Sequence, residues 1–128
     1  MRIKLSGIFV DDQQKALDFY TQVLGFKPSQ DIPVGEFRWI TVASAEGGDA
    51  ELSLEPNVNP AAKTYQEALF EQGIPITAFE VDDVNAEFAR LSKLGVQFTT
   101  EPMDAGDVRI AAFADTCGNL VQIYQPPA

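Results

Sequence analysis

"FVDDQQKALDFYTQVLGF" occupies residues 9–26, and "FEVDDVNAEFARLSKLGVQF" occupies residues 79–98. Each stretch opens with an apolar pair of strand type, then gives two aspartates, a helical pattern and a glycine. A fixed offset of 71 carries Asp11-Asp12 onto Asp82-Asp83, Leu17 onto Phe88 and Tyr20 onto Leu91. The same offset carries Arg38 onto Arg109, Gly47 onto Gly118 and Pro56 onto Pro127. It slips to 70 where Gly25 matches Gly95, and is regained before Arg109. So many matches in one order point to a duplicated half-domain.

Each half reads as strand, helix and three further strands. Asp11 or Asp12 suits the N-cap of the first helix, and Ala16, Leu17, Tyr20, Val23 and Leu24 recur on one face before Gly25 stops it. In the second half Asp82 or Asp83 caps, Val84, Phe88 and Leu91 form the stripe, and Gly95 ends it. The β-type runs that follow lie near 27–33, 37–43 and 50–55, then near 96–102, 107–114 and 119–124, punctuated by Pro, Gly and Asp clusters. Asn59-Pro60 and Gly73 bracket a helical connector whose apolar stripe is Ala61, Ala62, Tyr65 and Leu69. The expected organisation is α+β, one domain over 1–128: repeat 1 at 1–56, a linking helix at 57–72, and repeat 2 at 73–128.

Composition narrows the function. The 128 residues hold 45% hydrophobic residues and no low-complexity tract, which fits a packed globular fold. No stretch is long and apolar enough for a signal peptide or a membrane span, and the lone Cys117 fits a reducing cytoplasm. A formal net charge of -10 repels phosphate backbones and anionic lipid, so neither nucleic acid nor membrane is expected as a partner. The absence of histidine removes the commonest metal ligand and the commonest general base together.

"DFYTQVLGF", "AFEVDDVNAEFARLSKLGVQF" and "FADTCGNLVQIYQ" resemble the vicinal oxygen chelate superfamily, which includes glyoxalase I, extradiol dioxygenases, fosfomycin-resistance proteins and bleomycin-binding proteins. The resemblance implies two βαβββ modules whose sheets pair into a cup, often within a homodimer. In metal-using members it implies a divalent ion held by one residue from the first and last strand of each module. By motif match those positions fall on Leu5, Glu51, Ile76 and Gln122.

Leu5 and Ile76 have no lone pairs, so Glu51 and Gln122 leave a divalent ion undersupplied even if Glu80 adds an oxygen. No metal or other cofactor is expected. Strand alternation puts Leu5, Gly7 and Phe9 on one face, with Ile76, Ala78, Glu80, Glu51, Ser53, Gln122 and Tyr124 on the corresponding faces. The expected site is a cup for a small organic ligand, with Glu51 and Gln122 as polar contacts, Leu5, Phe9 and Ile76 as floor, and Glu80 and Tyr124 nearby. Arg38, Arg109 and Trp39 are open in orientation, and Cys117 reads as an inert turn thiol. The alternative is a lyase or isomerase that uses an O-ligated ion, or Glu51 or Glu80 as general base.

Overall fold

The computed structural model describes residues 1–127. It is α+β and divides into two compact units, Met1–Tyr65 and the chain from Gln66 onward. In the first unit strand β1 (Leu5–Val10) leads to helix α1 (Gln13–Asp18), then to strands β2 (Lys27–Val34), β3 (Phe37–Ala43) and β4 (Glu51–Pro56). Helix α2 (Pro60–Glu71) follows, and the unit boundary falls inside it. The second unit runs β5 (Thr77–Glu80), α3 (Val84–Lys93), β6 (Phe98–Ala105), β7 (Val108–Ala114) and β8 (Leu120–Gln125). Its sheet order, β5-β8-β7-β6, repeats the β1-β4-β3-β2 order of the first, with one parallel and two antiparallel pairs in each.

The second aspartate of each pair starts its helix. Asp12 accepts from the Lys15 amide and Asp83 from the Ala86 amide, both at 3.0 Å, which satisfies one otherwise orphaned N–H apiece. Ile8, Val10, Ala16, Tyr20, Ile40, Val42 and Leu54 are buried in the first unit, and Val84, Leu91, Ala111, Phe113, Val121 and Ile123 in the second. Burying each large member of these sets contributes roughly 1.5–3 kcal/mol. In the second unit Phe98 bridges Phe88 and Phe113 edge-on, with ring centroids 4.7 and 5.4 Å away. The connector's covered face differs from the expected stripe: Ala62 and Gln66 are buried, whereas Tyr65 is 55% exposed.

Hydrogen-bond register accounts for each slip in the repeat. Helix α1 runs on into a π-helical turn, Phe19–Val23, closed by the Leu24 amide on the Phe19 carbonyl. A π turn takes up one extra residue, so Gly25 matches Gly95 at 70 rather than 71. The residue is regained in β6, which has two register shifts against β7 where β2 has one against β3. Both hairpins then close alike, Val34 on Phe37 and Ala105 on Val108, at an offset of 71.

The closing strands break the offset. Ser53 lies beside Gly7 and Thr41, whereas Gln122 lies beside Ala78 and Ala112. Gly7 to Ala78 and Thr41 to Ala112 both keep 71, so the counterpart of Gln122 is Ser53, and that of Glu51 is Leu120. The cause is the β3–β4 connection, 44–50, which is two residues longer than the β7–β8 connection, 115–119. The match of Pro56 with Pro127 is therefore coincidental, and Glu51 and Gln122, though 71 apart, are not equivalent, whereas Gly47 and Gly118 precede the shift and share a positive φ, 109° and 100°.

Candidate ligand-binding site

In the first unit Leu5, Gly7 and Phe9 pair with Glu51, Ser53 and Glu55. Ala43 and Thr41 pair with Glu51 and Ser53, while Gln30 and Ile32 pair with Thr41 and Trp39. Paired residues share a face. These side chains therefore stand together on the side opposite Ile8, Val10, Ile40, Val42 and Leu54, which pack beneath α1. Leu5 is 49% exposed, Phe9, Trp39, Glu51 and Glu55 are half-buried, and Thr41 and Ser53 are buried.

Hydroxyl groups hold both carboxylates of this face. Thr41 Oγ1 donates to Glu51 Oε1 at 2.5 Å and itself accepts from the Gln30 amide at 3.1 Å. The Thr41 hydroxyl first, and the Ser29 hydroxyl second, hold the Glu51 carboxyl below the usual carboxylate range; the Lys4 charge adds to this, and partial burial opposes it. Ser53 Oγ donates to Glu55 Oε2 at 3.1 Å. Gly7 makes room for that carboxylate, because a Cβ there would stand 2.7 Å from Ser53 Oγ and nearer still to Glu55 Oε2. Trp39 is fixed by its indole N–H, which donates to Gln30 Oε1 at 2.6 Å.

Beside Trp39 the β3–β4 ladder stops. Its pairs run from Ala43–Glu51 to Thr41–Ser53, whereas the β7–β8 ladder runs on to Arg109–Gln125. The Gln13 side chain of α1 takes up the freed backbone groups. Its amide donates to the carbonyls of Arg38 and Leu54 at 2.6 and 2.8 Å and accepts from the Arg38 N–H at 3.1 Å.

In the second unit Ala78 and Glu80 of β5 pair with Gln122 and Tyr124, and Ala112 and Ile110 pair with the same two residues. All six share the helix-free face; Gln122 and Tyr124 are half-buried and Glu80 is exposed. Ile76, half-buried, lies just ahead of β5, and its amide donates to the Leu120 carbonyl at 2.8 Å. Leu5, Phe9 and Glu51 thus come together in the first unit, and Gln122, Tyr124 and Glu80 in the second. Sequence reading missed Thr41, Glu55, Gln30 and Gln13. Glu55 shares the strand phase of Glu51 on β4 and could have been found by extending that phase; Thr41 lies on β3, whose face follows only from its pairing with β4, and Gln13 carries no such signal.

Both arginines resolve to the other side. Arg38 holds Asp31 through two bonds, 3.0 and 2.6 Å, and reaches Gln14 of α1 at 2.8 Å. Arg109 holds Asp104 at 2.9 Å and Asn85 of α3 at 3.0 Å. Cys117 is fully buried in the β7–β8 turn. Asp115 Oδ1 accepts from the Cys117 and Asn119 amides at 2.7 and 3.0 Å, and Gln66 donates to the Cys117 carbonyl and to Asn119 Oδ1, both at 3.1 Å. Among the described residues no group of three or more His, Cys, Asp or Glu stands where it could hold a metal ion. With aliphatic Leu5 and Ile76 at two of the implied ligand positions, the donor set does not fit a divalent ion.

The chain belongs to the Glyoxalase/Bleomycin resistance protein/Dioxygenase superfamily, whose family model matches residues 2–123. It is 54% identical over 126 residues to the uncharacterized protein YurT of Bacillus subtilis (strain 168), covering 98% of this chain and 99% of that one. Among solved structures, UcmS2 superposes with a TM-score of 0.84 at 29% identity, covering 97% of each chain. TnmS3, an antibiotic binding protein from Streptomyces sp. CB03234, superposes with a TM-score of 0.79 at 32% identity, covering 98% of this chain and 96% of that one.

Proposed function

We propose that this protein binds a small organic molecule on the helix-free faces of its sheets, without a transition metal. The observation that carries the reading is the first unit's face, where Glu51 and Glu55 are held by buried hydroxyls among Leu5, Phe9 and Trp39. Small-molecule sites commonly combine an apolar lining with a few placed polar groups. Likeness to an antibiotic binding protein over nearly the whole chain supports it. The second unit's own face carries Gln122, Tyr124 and Glu80, with Ile76 just ahead of β5. The lyase or isomerase alternative gains nothing from Glu51, because the hydroxyls that lower its pKa also weaken it as a base. A homodimer goes with the reading, and sedimentation showing only a 14.0 kDa species at micromolar concentration would remove that part of it.

The test is thermal unfolding against a panel of antibiotics and related organic compounds, with and without a chelator, beside elemental analysis of the purified protein. A ligand at 100 times its Kd adds about 2.7 kcal/mol and raises Tm by on the order of 10 °C. The chelator should change nothing. No stabilising compound in the panel, or stabilisation that disappears with the chelator, would refute the proposal.

A further inference from the structure

The two helix-free faces are chemically unlike, and the difference names a class of ligand. Register places Ile110 of the second unit where Trp39 stands in the first, Ala112 where Thr41 stands, and Tyr124 where Glu55 stands. The face of the first unit alone combines an indole with two carboxylates.

Three observations make Trp39 the centre of this difference. Its N–H is tied to Gln30, which fixes the ring within the face. The ladder beside it ends at Thr41–Ser53, and Gln13 occupies the Leu54 carbonyl that a continued ladder would use together with the Arg38 carbonyl, which the same register would set opposite Pro56 and its missing N–H. Continuing that register would set Trp39 level with Glu55, whose carboxylate is held by Ser53 over Gly7. A flat ring meets an indole by stacking, and a cation is drawn to both its π face and a neighbouring carboxylate.

Resting on the small-molecule reading, we infer that Trp39 is the seat of a flat, cationic aromatic ligand, with Glu55 and Glu51 as its counter-charges. Arg38 does not offset this charge, since it is engaged with Asp31 and Gln14 on the opposite face; the Lys4 charge acts on Glu51. A neutral ring would gain the stacking alone.

Calorimetric titration of the full chain with 9-aminoacridine, a tricyclic cation at neutral pH, and with acridine, the same tricycle uncharged, tests this. The expected result is one saturable site for 9-aminoacridine, with acridine at least tenfold weaker. Trp39→Ile, which installs the residue found at the equivalent position of the second unit, should weaken the cation tenfold or more. Glu55→Gln should weaken the cation and leave acridine unchanged. Circular dichroism and the melting curve establish that each variant is folded before it is titrated. Equal affinity for the two tricycles, no loss in Trp39→Ile, or no binding of either overturns the inference. The proposed function falls separately, when no compound of the wider panel binds.

Discussion

Thr41 Oγ1 donates to Glu51 Oε1 at 2.5 Å while accepting from the Gln30 amide at 3.1 Å, so one buried hydroxyl links a carboxylate of the candidate face to the edge strand β2. Thr41→Val removes both bonds at nearly constant volume. The Gln30 N–H then loses its acceptor, and stability should fall by about 1–3 kcal/mol. Carboxyl NMR should show Glu51 titrating closer to its ordinary value of 4.5.

The sign of the pH effect follows from the direction of that shift. A folded-state pKa held below the unfolded one stabilises fully above the unfolded value and is lost as pH falls through the folded value. Wild type should therefore keep this contribution to lower pH than Thr41→Val. Acid unfolding curves that coincide after correction for the stability difference at neutral pH would refute the link.

The Gln13 amide replaces ladder bonds at the end of β3 and β4, making three contacts with backbone groups of Arg38 and Leu54. Gln13→Glu keeps an acceptor for the Arg38 N–H and offers neither carbonyl a donor. Denaturant unfolding should show a loss of about 1–3 kcal/mol. Gln14→Ala, one residue along and exposed, should change stability by less than about 0.5 kcal/mol.

Asp115 is wholly buried and accepts from the Cys117 amide, the Asn119 amide and, at 2.8 Å, Asn119 Nδ2. Asp115→Ala strands these donors and should cost at least about 3 kcal/mol by urea unfolding. Gly118 has φ of +100° and an added Cβ there would stand 2.7 Å from Gln66 Nε2, so Gly118→Ala should also destabilise by more than about 1 kcal/mol. Alkylation of Cys117 should proceed only on unfolding, because its thiol serves packing in this turn.

The duplicated βαβββ order was legible because aspartate caps, helical stripes and turn residues act locally. Asp12 and Asp83 do what their spacing implies, and the β-type runs became strands within a few residues of their expected bounds. What failed was counting across connections. Register in a sheet is set by hydrogen bonds between distant strands, so two extra residues in 44–50 moved the equivalence from Glu51 to Ser53 without any local sign. The faces of Arg38 and Trp39 were undecided for the same reason. They follow from pairing with Pro33 and Ile32, which single-strand patterning does not reveal. Gln66 and Gln13 escaped because a buried amide reads in sequence like any surface glutamine, and only its partners distinguish it.

Gly7 offers the sharpest test of how the first unit's face is built. Its counterpart is Ala78, so this position of the ladder accommodates a methyl group when Gln122 and Tyr124 stand beside it. In the first unit the same methyl group would meet the ends of two side chains, Ser53 and Glu55, rather than backbone. Gly7 is not among the glycines with positive φ, so alanine suits its backbone. Gly7→Ala should therefore fold, with stability within about 1 kcal/mol of wild type. The Glu55 carboxylate must swing away and give up its bond to Ser53 Oγ. Carboxyl NMR should show Glu55 moved while Glu51, still bonded to Thr41, stays where it was. A folded Gly7→Ala with an unmoved Glu55 signal would mean that the carboxylate does not lie over Gly7 in solution.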